Sequence, residues 1–154
     1  MVIRESGLLF RGYNLVHAKY HQTSDNGIDP DLRSGLLTAL LNFAESAFSM
    51  NKVEYFEMKK FVISFIQDSI LAHDSPEEEI LIVYAIMDKE RKIDKHISKV
   101  IVPSLKKVAQ AFKRKYNGQN LSEISKFLEF KSTLAAIFGS DTKTVDQKLK
   151  GTFF

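Results

Sequence analysis

The sequence predicts an α+β fold, a five-stranded antiparallel sheet in the order 2-1-5-4-3 sandwiched between one helix and two C-terminal helices. Three observations predict it. The run "ILIVYAIM" (Ile80–Met87) is apolar at every position, as a strand covered on both faces must be. The stretch "IDPDLRSGLLTALLNFAESAF" reads as a helix with no charge between Arg33 and Glu45. From Ile93 onward the apolar residues recur at helical spacing.

Val2 to Glu5 reads as the first strand, Ser6-Gly7 as a turn, and Leu8 to about Tyr20 as a returning strand bent at Gly12. A polar loop, "HQTSDNGI", leads to the helix Asp29–Ser49. Asp29 suits the cap, Pro30 the first helical position, and Asp31 the positive helix end. Asn51 and Lys52 end that pattern. Three strands follow: the weakly alternating "VEYFEM", the β-branched and aromatic "KFVISFIQDS", and Ile80–Met87. Turns are placed near Met58–Lys60 and at "HDSPEEE", where Ser75-Pro76 breaks the chain. Links this short make neighbouring strands antiparallel.

Ile93, Ile97, Val100, Ile101, Leu105, Val108, Phe112 and Tyr116 form the stripe of the next helix, which Asn117-Gly118 closes. Pro103 inside it is expected to kink or divide the helix. A third helix runs from near Ser122 to Gly139. The domain therefore spans residues 1–139, and "SDTKTVDQKLKGTFF", without a sustained period, is expected to be a loose tail over 140–154.

Composition narrows the function classes. The chain has 154 residues, 44% hydrophobic and 27% charged, which suits one globular domain. Its 22 basic and 19 acidic residues leave +3, too small an excess to imply nucleic acid by itself. No cysteine is present, so disulfides, thiolate catalysis and cysteine-bound zinc are excluded. No apolar run approaches the roughly 18 residues of a membrane span. The start "MVIRESGLLF" lacks a basic stretch leading into an apolar core, and a cytoplasmic location is expected.

Motifs for chemistry are missing. There is no glycine-rich phosphate loop and no Ser-centred elbow. His17 and His21 lack the three or four converging ligands of a zinc site. Glu77, Glu78, Glu79 and Asp88 read as turn charge. We therefore expect no enzyme, no cofactor and no metal. Lys106, Lys107, Lys113, Arg114 and Lys115 lie on the polar side of their helix, as a solvated face or as a candidate face for an anionic partner. Aromatic residues are not interleaved among them, which speaks against nucleic acid.

The order of elements resembles the longin domain of the longin/roadblock superfamily. Three local patterns are similar to longin-like proteins of archaeal type: "IRESGLLF", "DPDLRSGLLTALLNFAESAF" with Gly35 in its first turns, and "VAQAFKRKY" followed by "FLEFKSTLAAIFG". The resemblance covers residues 1 to about 139. It implies a platform without catalytic residues that dimerises and binds small GTPases, as in regulator and trafficking complexes. The anionic partner of the Lys106–Lys115 face would be an acidic GTPase surface or a membrane, so peripheral membrane contact is one option.

The uncharged helix fits that implication. Leu32, Leu36, Ala39, Phe43 and Ala47 make one apolar stripe, and Leu37, Leu41, Ala44 and Phe48 make a second shelf beside it. Together they span an arc of about 200°, where a surface helix needs little more than about 100°. Either the chain's own loop or tail covers the shelf, or a second chain does. In the superfamily the helix and the adjoining edge strand commonly form the pair contact, so Leu37, Leu41, Ala44, Phe48, Val53 and Tyr55 are the expected interface, in a homodimer or with another longin/roadblock domain. A small-ligand sensor of PAS-like or profilin-like layout is the alternative.

Overall fold

Strand β1 (Ile3–Phe10) runs straight through the Ser6-Gly7 pair where the sequence suggests a turn. The hairpin instead closes at Arg11-Gly12 and returns as β2 (Tyr13–Lys19). Both turn residues have positive φ, 51° and 83°, as a two-residue hairpin loop matched to strand twist requires. Arg11 is held there by its guanidinium, which bonds Asp74 at 2.9 Å and 3.0 Å and Glu79 at 3.0 Å, and lies 4.8 Å above the Phe10 ring. Gly7 serves another need. A Cβ on it would sit 2.6 Å from the Val16 carbonyl oxygen and 2.7 Å from the Tyr84 hydroxyl.

This computed structural model describes residues 3–20, 55–57 and 61–139. The class is α+β. Four long strands make the antiparallel sheet: β1, β2, β4 (Phe61–Ile70) and β5 (Glu79–Asp88). Where the sequence suggests a strand over Val53–Met58, only the three residues of β3 (Tyr55–Glu57) pair, along the edge of β4. The order is β2-β1-β5-β4-β3.

Two bulges set which side chains face which way. Ile3 opposes Met87 but Glu5 opposes Ile86, so Arg4 is the extra residue, and its guanidinium grips Asp88 at 2.9 Å and 3.0 Å. Leu8 opposes Val16 while Leu9 opposes Asn14, which leaves Leu15 extra. One face then carries Ile3, Leu8, Phe10, Val62, Leu81, Val83, Ala85 and Met87, all in the main core. The other carries Leu9, Ile63, Phe65, Ile82, Tyr84 and Ile86, which are equally buried.

Both helical stretches after the sheet pack on the first face. The rod begins as α1 (Ile93–His96), passes through one π turn (Ile97–Ile101) and continues as α2 (Val102–Tyr116). Pro103 sits in the first turn of α2, where its missing N–H costs nothing, so the interruption falls just before it as the π turn. The Ser104 hydroxyl donates to the Val100 carbonyl at 2.8 Å. Val100, expected in the apolar stripe, is 38% exposed because the π turn rotates it outward. Asn117-Gly118 ends the rod and ties it to the β4–β5 link, with the Gly118 N–H on the Leu71 carbonyl and the Leu71 N–H on the Asn117 side chain.

The expected third helix is divided. A 3-10 turn (Ile124–Phe127) precedes α3 (Phe130–Phe138). Phe112, Tyr116, Phe127 and Phe130 pack ring against ring at 4.7 to 6.2 Å where the turn, α2 and α3 meet. The expected helix Asp29–Ser49 and the tail 140–154 lie outside the described residues.

Candidate functional site

Of the expected interface, Leu37, Leu41, Ala44, Phe48 and Val53 fall outside the described residues. Tyr55 is described. Its register opposite Ser64 puts it on the sheet face that the C-terminal helices cover, and its hydroxyl bonds the Asp94 carboxylate at the start of α1. It therefore anchors the short edge strand to the helical layer.

The basic residues do not form one free face. Lys113 reaches back to Asp68 on β4 at 3.1 Å, and Lys115 pairs with Glu129 at 2.8 Å. Hydrogen bonding to Glu129 raises the Lys115 ammonium above the usual lysine range; the same bond, with that from the Tyr116 hydroxyl, holds Glu129 below the usual carboxylate range. Burial, then the bond to Glu129, raises the Tyr116 hydroxyl. Lys106, Lys107 and Arg114 are exposed and have no ion-pair partner among the described residues.

Lys95 and Lys99 belong with these three, and the sequence reading left them out. The signal that finds them is the spacing of Lys95, Lys99, Pro103, Lys107, Gln110 and Arg114, each three or four residues from the last. All six are exposed. They stand two positions after Ile93, Ile97, Ile101, Leu105, Val108 and Phe112, all buried. Two positions are about 200° of helix, so this stripe points directly away from the core.

The acidic residues have internal uses. Glu79 and Asp74 share Arg11, Asp88 holds Arg4, and Glu78 accepts from the Ser69 hydroxyl at 2.9 Å. The bond from Arg11 holds Asp74 below its usual range, and the two acids raise the guanidinium in turn.

On the second sheet face the Tyr84 hydroxyl crosses Gly7 and donates to the Asn14 side chain at 3.0 Å. Beside it Glu5 is fully buried, 3.7 Å from the His17 ring nitrogen. Among the described residues no group of three or more His, Cys, Asp or Glu converges as a metal would require. A shallow groove lies between β2 and the 3-10 turn, lined by Asn14, Leu15, His17, Ile124, Leu128 and Lys131. It opens at the rim of the sheet, whereas between sheet and helices the described apolar residues pack as one buried core.

Among the described residues no helix is long and apolar enough to cross a membrane. Comparison with protein-family models, with curated proteins and with solved structures gives no match.

Proposed function

We propose that the chain is a longin-type interaction module without catalytic activity, which pairs with a second such domain and binds or regulates a small GTPase. The observation that carries this reading is the sheet. Its order is β2-β1-β5-β4-β3, with the C-terminal helices on one face and an apolar second face that is equally buried. An antiparallel sheet buried on both faces needs a layer on each. In this reading the Asp29–Ser49 helix is the second layer, and the sandwich is the longin arrangement that the sequence resembles.

The first helix then presents Leu37, Leu41, Ala44 and Phe48 to its partner beside Val53, while Tyr55 fixes the adjoining strand to α1. A pair contact of this kind should bury at least about 1,000 Å². The pair, rather than one isolated pocket, forms the platform on which the GTPase docks.

Light scattering on the full chain, alone and with candidate small GTPases in defined nucleotide states, tests both parts. A dimer, or a stable heteromeric pair, is expected. Leu41→Asp should abolish pairing and GTPase binding together, because the partner would have to bury an unpaired charge. A chain that is monomeric and binds no GTPase in any nucleotide state refutes the proposal.

A further inference from the structure

We infer that the outer stripe of the α1–α2 rod is a docking surface for an anionic lipid bilayer. This goes beyond the pairing reading and does not depend on it.

Between Ile93 and Tyr116 the chain places seven Lys or Arg and one acid, Asp94, a net +6 where the whole chain carries +3. The remaining residues therefore carry a net −3. The excess positive charge of the protein lies entirely on this one rod. Asp94 is engaged by Tyr55, and Lys113 and Lys115 are neutralised by Asp68 and Glu129. What is left is Lys95, Lys99, Lys107 and Arg114 along the outer line, with Lys106 beside them.

The shape selects the partner. The rod is about 35 Å long, and its cations project on the side opposite the buried stripe, where a flat surface meets them together. Protein interfaces are depleted in lysine and built around aromatic and arginine anchors in pockets. This stripe has four lysines to one arginine and no exposed aromatic. Single-stranded nucleic acid calls for stacking platforms, which it also lacks. Lysines on flexible stems suit the diffuse negative potential of a phospholipid surface. Val100, 38% exposed between Lys99 and the start of α2, offers an apolar contact at headgroup depth.

Sedimentation of the full chain with phosphatidylcholine vesicles, with and without phosphatidylserine, tests the assignment. Binding is expected only with phosphatidylserine. It should fall between about 0.1 M and about 1 M salt, as the Debye length shrinks from about 10 Å to about 3 Å. The triple variant Lys95→Gln, Lys99→Gln, Lys107→Gln should bind about 100-fold more weakly, at roughly fivefold per cation. The double variant Lys113→Gln, Lys115→Gln should lose much less than the roughly 25-fold that two stripe cations would cost. Pairing of the triple variant, read by light scattering, should match wild type, which separates this contact from the one proposed above.

Equal losses per charge in the two variants would show that net charge, not the stripe, drives binding. Wild-type binding that ignores phosphatidylserine, or no binding at low salt, overturns the proposal. So does a wild type that binds a mixed-sequence DNA duplex in place of the vesicles and loses it in the triple variant, since the stripe would then belong to nucleic acid.

Discussion

Gly7→Ala reverses the sign that a strand glycine normally gives. Replacing glycine by alanine at an unstrained position stabilises by about 0.4–1 kcal/mol, because the unfolded chain loses freedom. At Gly7 the added methyl would stand 2.6 Å from the Val16 carbonyl oxygen, 2.7 Å from the Tyr84 hydroxyl and 2.9 Å from the ring carbon that bears it. The carbonyl is backbone in the paired β2 strand, so it cannot swing away cheaply. Overpacking of this kind costs about 1–3 kcal/mol. If the Tyr84 ring yields instead, its hydroxyl leaves Asn14, at a further cost of about 1 kcal/mol. With the unfolded-state gain subtracted, a net loss of about 2 kcal/mol lowers Tm by roughly 4–8 °C in a chain of this size. Urea and thermal unfolding measure it. A cycle with Tyr84→Leu should show coupling above about 0.5 kcal/mol, because the two side chains compete for one space. A Gly7→Ala protein as stable as wild type, or more so, would refute the close-approach account.

Phe112→Ala should cost about 3–5 kcal/mol in urea unfolding, since Tyr116, Phe127 and Phe130 would all lose a ring neighbour; a loss below about 1 kcal/mol would mean that the cluster closes over the gap. Arg11→Gln should matter at neutral pH and cease to matter in acid. Arg11 depresses Asp74 in the folded state, so the pair's contribution is present above the ordinary aspartate range and disappears as pH falls through the lowered folded value. Melts of both proteins across an acid series should draw together there, and a gap that does not narrow would assign the loss to the Arg11 contact with the Phe10 ring instead. Leu128→Lys, at a position 59% exposed, should stay within about 0.5 kcal/mol of wild type.

Sequence patterns carried the element types further than their edges. The apolar run Ile80–Met87 placed β5 at the centre of the sheet because burial on both faces removes every polar option at once. The Ser6-Gly7 pair misled because glycine serves two unrelated needs. It allows positive φ in turns, and it leaves room where another group approaches. Only the cross-strand position of Tyr84, 77 residues away in sequence, shows which need applies at Gly7. The real turn at Arg11-Gly12 was hidden because arginine is a poor αL residue, and the acids that hold it, Asp74 and Glu79, are distant in sequence. Arg4 and Leu15 could not be read as bulges for the same reason: a bulge is a property of two strands, and a sequence shows one at a time.

The basic helix shows where a periodic reading stops and why. The buried positions Ile93, Ile97, Ile101 and Leu105 step by four residues three times over. That spacing is longer than the 3.6 residues of an α turn, so an unbroken α-helix would drift by about 120° across them and carry Leu105 off the core. One π turn at Ile97–Ile101 absorbs the excess and restores the phase. The same turn decides the opposite side. It swings Val100 into solvent and brings Lys95 and Lys99 into line with Lys107 and Arg114. A wheel drawn at constant pitch instead sets Lys95 and Lys99 about 80–120° away from Lys107, beside Lys106 and Lys113, and so misses their alignment with Lys107 and Arg114. Nor can it see that Lys113 and Lys115 are already engaged by Asp68 and Glu129. The free charge lies where the π turn puts it, along the whole rod rather than at its end.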